Sequence, residues 1–453
     1  NQNMNTGTIN AQAAGGACTG TFQVSVDGFA TCLGGTVAFP TQTTANFTTA
    51  VGFCVDTQYT MQVKILNTVQ STNSVPMTAT YSSSNTFTTQ QALMRGGITA
   101  GSEVRALAIS CNTLFVGGSF SQVTGAQTRN NLMAIDLTTG NLLGGSFGPP
   151  TFDTNGAVNA LAIDGTQLVV GGSFTMAGGS PRTNLAAFNP TGTVTAWSPS
   201  TDAAVSALAV NTGTIYVGGA FAVAGGMSRK LVAAFASGTN APNAFNASIT
   251  GTGVVSAIGI SGTTAILGGT FTGGTVGGNT RSYLAAVDAG TGSGTAFAAW
   301  CSSSPTFPVT SIVTFGGNVY FGGAFGGSAC GIAFNYFGAI SASSGGGAIG
   351  FANGVGTGAG NQVNTLSISP TNLYVGGQFS GAGAFVASVR NFGGATNLTG
   401  NLASWDPNFG SQVLTLANVG SSVFAGGMFS LVNGGTAASK IAIVDAMTGT
   451  LRP

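Results

Sequence analysis

One short pattern constrains this chain more than anything else in it. An apolar residue, two glycines, one further residue and a phenylalanine recur seven times in 453 residues. The first glycines of the pattern are Gly117, Gly171, Gly218, Gly268, Gly322, Gly376 and Gly426, spaced 54, 47, 50, 54, 54 and 50 residues apart. A recurrence of that length predicts a propeller, a solenoid or an array of supersecondary units.

Each unit reads as four strands. The first is apolar with period two, as in Val104–Ile109, Val158–Ile163 and Val205–Val210, and a short polar turn such as Asp164-Gly165-Thr166 follows it. The signature lies on the second strand. Paired glycines weaken a strand, so they predict either close approach of neighbouring backbones or a bulge. The third strand reads Leu132–Asp136, Leu185–Asn189, Leu284–Asp288 or Ile441–Asp445 and ends in a Thr-Gly turn. The outer strand carries Trp197, Phe245, Trp300, Phe351 or Trp405. Four strands in each of seven units predict an all-β chain whose main domain is a seven-bladed β-propeller. A β-solenoid is the alternative, although its coils usually take only about 20–30 residues.

Residues 1–86 hold no copy of the signature. Asn1–Gly16 reads as an extended polar arm, and residues 17–86 as a small β-rich domain of immunoglobulin-like size. Its candidate strands are Thr21–Val26, Thr36–Phe39, Tyr59–Leu66 and Met77–Tyr81, with Asp27-Gly28 as a hairpin signal. Residues 87–453 are assigned to the propeller. Trp197 lies five residues after Gly192, and the position five after Gly449 falls just past Pro453, so Phe87–Arg95 is expected to close the seventh blade from the other end of the domain.

Charged residues make up 5% of the chain and the net charge is +1. That balance gives no electrostatic reason to expect nucleic acid. It does allow copies of the chain to pack closely with little repulsion. No apolar run reaches the roughly 18–20 residues of a spanning helix. The start at Asn1-Gln2-Asn3 reads as a mature end after signal-peptide removal, and six cysteines fit an oxidising, extracellular setting.

The run Val170-Gly-Gly-Ser-Phe174, Gly178-Gly-Ser-Pro-Arg182, Leu185-Ala-Ala-Phe188, Thr191-Gly192, Trp197-Ser-Pro199 and Val205-Ser-Ala-Leu208 resembles the secreted bacterial propeller repeats called delta-sixty repeats. The resemblance covers about residues 90–453. It implies a propeller in a secreted or cell-surface setting, and no particular activity.

Catalytic chemistry is thinly provided. There is no histidine, which excludes His-dependent triads, and no Cys-x-x-Cys pair. No catalytic, cofactor or metal residue is therefore assigned. Asp136, Asp288 and Asp445 are repeat-equivalent turn residues. Arg129, Arg182, Arg229 and Arg281 recur before the third strand, either as ligand-binding cations or as donors to backbone carbonyls. Cys301 and Cys330 are a candidate disulfide. Cys18, Cys32 and Cys54 are odd in number, which makes Cys111 a candidate partner for one of them. Asn46, Asn246 and Asn397 head glycosylation triplets. The expectation is a non-enzymatic extracellular structural protein that assembles with copies of itself into a layer, fibre or sheath. An adhesin holding surface glycans is the alternative, with a glycan-active hydrolase behind it.

Overall fold

Every regular element among the described residues of the computed structural model is a β-strand. Those residues are the five N-terminal strands, position 98, and most of 102–143, 152–294, 308–342, 362–378, 386–390 and 401–452. The chain divides into two compact units, residues 1–92 and 93–453.

In the first unit β1 (Phe22–Ser25), β4 (Gln58–Ile65) and β5 (Tyr81–Thr88) form one antiparallel sheet. β2 (Gly35–Thr41) and β3 (Thr44–Thr49) form a separate pair. The hairpin expected at Asp27-Gly28 would pair β1 with the next strand. Instead β1 pairs with β4, placing Phe22 opposite Ile65 and Val24 opposite Val63. Matching of apolar positions at long range overrides the local turn signal. β5 sets Phe87 opposite Tyr59 and Thr88 opposite Gln58. These two residues of the expected closing strand thus lie in the N-terminal sheet, and 89–95 fall outside the described residues.

The second unit repeats one antiparallel motif seven times. The first strands of the seven copies are Glu103–Ser110, Ala157–Asp164, Val205–Asn211, Val255–Ser261, Val309–Phe315, Gln362–Ile368 and Val413–Val419. Each pairs with a middle strand bearing the signature, and the middle strand pairs with a third strand. First strands of successive copies contact one another, and the seventh contacts the first, so the packing is cyclic.

The glycines make this possible, and the two of each pair do different things. A Cβ on the first would strike the leading valine of the following copy. Gly117 would meet Val158 Cγ1 at 2.5 Å, Gly171 would meet Val205 Cγ1 at 2.5 Å, and the series continues to Gly426, which would meet Val104 Cγ1 at 2.4 Å. A Cβ on the second glycine would strike the backbone of its own sheet: Gly118 would meet Glu103 O at 2.1 Å and Gly172 would meet Ala157 O at 2.1 Å. The pairing shifts register at this point in every copy, leaving one residue of the first strand unopposed, for example Arg105 between Val104 and Ala106. It is a β-bulge. In several copies the unopposed side chain reaches the next one. Arg105 Nη1 donates to Asn159 Oδ1 at 2.9 Å, Asn159 Nδ2 to Val205 O at 3.0 Å, and Asn364 Nδ2 to Val413 O at 3.0 Å.

The core lies between successive sheets. Phe115, Phe152 and Phe188 join the first two, and Tyr374, Trp405 and Phe429 the last two. Signature residues Phe120, Phe174, Phe221, Phe271 and Phe429 are all buried.

The sheets are narrower than the expected four-stranded blades. Among the described residues only the sixth has a fourth strand, Asn401–Leu402. In other copies the outer edge is a single bridge, such as Phe188 to Val194 or Phe235 to Pro242. With either kind of edge the aromatic that follows is drawn across to the neighbour. Trp197 is buried, and its Nε1 donates to Thr239 O of the next copy at 2.8 Å. Trp405 Nε1 does the same to Asp445 O at 2.7 Å. The seventh sheet has its own outer bridge, Val444 to Leu451. It is the counterpart of the Phe188–Val194 bridge of the second copy, and most of the expected closing strand, 89–95, lies outside the described residues.

A feature with no sequence signal precedes the third strand. Asn131, Asn184, Leu231, Tyr283 and Lys440 all adopt left-handed φ, between 61° and 68°. The backbone N–H of each donates to the signature phenylalanine's carbonyl, and its own carbonyl accepts from the second glycine. Asparagine tolerates this conformation far better than a bulky side chain. Tyr283→Asn is therefore expected to raise stability by about 0.5–1 kcal/mol, the relief of strain outweighing the half-buried ring it removes. Equilibrium denaturation checks this, and a lower midpoint would show that the ring contributes more than the strain costs.

Candidate functional site

The strand directions sort the repeat unit's surface into two ends. At one end the first strand turns into the middle strand; it is called here the turn face. At the other, the middle strand ends and the chain runs through a small hairpin before the third strand; this is the hairpin face.

The hairpins are Met176–Ala177 with Ser180–Pro181, Val223–Ala224 with Met227–Ser228, Thr275–Val276 with Asn279–Thr280, and Leu431–Val432 with Thr436–Ala437. Two glycines with positive φ turn the first three: Gly178-Gly179, Gly225-Gly226 and Gly277-Gly278. Two successive left-handed residues give the tight turn that suits strand twist. Alternation then buries Ala177, Ala224, Val276 and Val432 and turns the preceding residue outward. Met176, Val223 and Leu431, at the same position of three copies, are exposed by 41%, 38% and 43%, and Met227 and Met428 are exposed beside them.

The repeated arginines stand behind the hairpins. Arg182 Nη2 donates to Thr195 O at 2.6 Å, and Arg229 Nη2 to Asn243 O at 3.1 Å. Their Nη1 atoms donate to the carbonyls of Pro181 and Ser228. Of the two sequence readings, this geometry is the carbonyl-bonding one, within each arginine's own copy. Arg129 is almost fully buried and lies near Asp153. Burial pushes the Asp153 carboxyl up, against the lowering effect of bonds from Asn130 and Thr154 and of the Arg129 charge. Burial likewise pulls Arg129 down, against the attraction of Asp153. For both groups desolvation outweighs their mutual attraction.

A cavity of about 510 Å³ opens on this face between the first two copies. It is lined by Ser102, Ser119, Ser121, Asn130, Asn131 and Asn155, with Phe120 and Thr154. Its polar groups are largely committed to the fold. Asn131 Nδ2 donates to Thr154 O at 2.9 Å, Asn155 Oδ1 accepts from the Thr175 and Met176 N–H groups, both at 2.9 Å, and Thr154 Oγ1 donates to Gly156 O at 2.8 Å. Asp202 repeats the Asn155 role in the third copy, and the N–H bonds from Val223 and Ala222 lower its pKa.

On the turn face the repeated aspartates cap the Thr-Gly turns. Asp288 Oδ1 accepts from the Thr291 and Gly290 N–H groups at 2.8 and 3.0 Å, and the Thr291 bonds hold its pKa below the usual range. Asp445 does the same with Thr448 and Met447 and pairs with Arg452 at 3.0 Å. Burial would raise Asp445, but the bonds from Thr448, Met447 and Arg452 prevail and bring it down to about 2. A depressed carboxylate contributes stability above its unfolded value of about 3.9 and loses it as pH falls towards 2. Stability is therefore expected to drop between about pH 4 and pH 2, and Asp445→Asn to flatten part of that drop. Denaturant midpoints measured across this range check it; identical acid profiles for both proteins would exclude a role for Asp445.

Among the other sequence-derived candidates, Cys111 is disulfide-bonded, with its partner outside the described residues. It occupies a left-handed position, φ 49°, in the turn between the first and middle strands. Cys18, Cys32, Cys54, Cys301, Cys330 and Asn397 also fall outside the described residues. Asn46 lies in β3. Asn246 is exposed, and its Oδ1 accepts from the Ser248 N–H at 3.0 Å. Among the described residues no three Cys, Asp or Glu side chains form a metal-binding group, and no helix is long and apolar enough to cross a membrane.

No protein-family model matches the chain, and no curated protein matches it. Among solved structures it is similar to the computationally designed Ika8 protein, at 16% identity and a TM-score of 0.44, over 77% of this chain and 98% of that one. The computationally designed Ika4 protein is similar at 18% identity and a TM-score of 0.28, over 39% of this chain and 91% of that one.

Proposed function

We propose that residues 93–453 are a seven-bladed β-propeller that serves as a rigid, non-enzymatic block in an extracellular assembly of identical chains. The observation that carries this reading is the exposed apolar row of Met176, Val223 and Leu431, repeated at one position of three copies on one face. Large apolar side chains exposed at an equivalent position of several copies favour a contact on that face. The cyclic glycine–valine packing supports the propeller, and the spacing of the signatures supports seven blades. The delta-sixty resemblance favours a secreted or cell-surface setting.

Electron microscopy of native material, with sedimentation of the purified full chain, tests the reading. Ordered polymers are expected, and monomers at all concentrations would reject it. The second reading, an adhesin that holds surface glycans, draws on the hydroxyl- and amide-lined cavity at Ser119 and Asn130. Specific retention on a glycan array, lost in Asn130→Ala, would favour it.

A further inference from the structure

The hairpin and turn faces differ in charge as well as shape. On the hairpin face lie Arg182, Arg229, Lys230, Arg281 and Lys440, all half-exposed. They come from the second, third, fourth and seventh copies. Asp202 is the exposed acid among them, and Glu103 nearby is paired with Arg105. On the turn face lie Asp136, Asp164, Asp288 and Asp445, from the first, second, fourth and seventh copies. Arg452 answers Asp445 there, and Arg390 ends its strand at the same end. Among the described residues cations thus outnumber acids at the hairpin end, where Asp153 also sits beside the buried Arg129, and acids outnumber cations at the turn end. Both ends also expose apolar side chains: Met176, Val223, Met227 and Leu431 on the hairpin face, and Phe315 and Met447 on the turn face.

We propose that the hairpin face of one copy docks on the turn face of the next, so that the chain stacks head to tail. This rests on the assembly reading above and names its interface. The occupant of the hairpin face is a second copy of this chain because that copy's own turn face supplies the opposite charge and further apolar area. Two hairpin faces brought together would oppose cation to cation, as two turn faces would oppose anion to anion. A symmetric pair is therefore disfavoured, and unlike faces meeting in turn generate an open filament. The cations are spread around the face, so the attraction does not fix one rotation of the stack by itself. The uneven apolar row, present in the second, third and seventh copies and replaced by Thr275 in the fourth, supplies that register.

The experiment uses the purified full chain. Filament formation is followed by sedimentation and electron microscopy between about 20 and 500 mM salt, over which the screening length falls to a few ångströms. Wild-type filaments are expected to shorten as salt rises. Lys230→Glu and Asp164→Lys are each expected to reduce the polymer fraction at low salt at least fivefold with unchanged circular dichroism; each also gives up one intramolecular bond, to Thr250 O and from Ser237 Oγ, so melting is followed alongside. Because Lys230 and Asp164 sit on opposite faces, a mixture of the two variants is expected to co-assemble better than either alone. Met227→Glu tests the apolar component in the same way and is expected to weaken assembly at every salt concentration. Filaments indifferent to salt and to all three substitutions would overturn this interface while leaving assembly standing. No polymer from wild-type chain at any salt would overturn both.

Discussion

Gly171→Ala is expected to destabilise the repeat unit by about 2–3 kcal/mol, and Gly171→Val by more. The added Cβ would lie 2.5 Å from Val205 Cγ1, 3.2 Å from Val205 Cβ and 3.4 Å from Leu208 Cδ1. A sheet in an open stack could shift outward to make room. Here the neighbours are fixed by six other contacts of the same kind, so the displacement has nowhere to go. Val205→Ala removes the atom that is struck and should recover much of the loss, giving a coupling energy of about 1 kcal/mol or more in a double-mutant cycle. Gly172→Ala should not be rescued by any side-chain change, because its Cβ would meet Ala157 O at 2.1 Å. Urea denaturation of the wild type, the three single alanine variants and each glycine variant combined with Val205→Ala separates the cases. Equal rescue of both glycine variants would mean that the two glycines do not act differently.

Trp405→Ala is expected to cost about 3–5 kcal/mol. The ring is 1% exposed, its centroid lies 5.1 Å from that of Tyr374, and its Nε1–H satisfies the Asp445 carbonyl. Trp405→Phe keeps most of the packing and removes one of the two bonds to that carbonyl, which still accepts from the Gly449 N–H at 2.9 Å, so the loss is about 1 kcal/mol. Denaturant midpoints and tryptophan emission give both values. If the phenylalanine variant cost nothing, the indole bond would not contribute to the contact between the sixth and seventh sheets. Trp197, bonded to Thr239 O in the same way, should behave alike.

The repeat, its strands and its turns were legible because they follow from period-two burial and from residues with narrow conformational rules. Val104–Ile109 alternates, and the Thr-Gly turns after Asp136, Asn189, Asp288 and Asp445 need a side-chain acceptor and a left-handed glycine. The signature glycines left two readings open, close approach or bulge. Each reading describes one glycine of the pair, a division that emerges only when the neighbouring copy is in place. The narrow outer edge was not legible. Trp197 looks like a strand residue in sequence, and only the adjacent sheet shows where its indole is spent. Nor could Leu231 or Tyr283 announce a left-handed backbone, since neither residue prefers it. The exposed Met176 and Val223 escaped notice because an apolar residue next to the signature reads as core until its strand partner fixes which side faces in.

The seam between sheets carries no information about how many sheets there are. Every first glycine receives a valine from its successor, and any copy's glycine would receive any other copy's valine equally well. Excising one unit, or inserting one, would leave the glycine–valine contact of each remaining seam unchanged. The count must therefore be held by the wedge of matter farther from the first strands, where Phe152, Trp197, Phe245 and Trp405 fill the space between diverging sheets. Ring size in this molecule is a property of volume rather than of recognition: thinner filler should favour more units around the circle, and bulkier filler fewer.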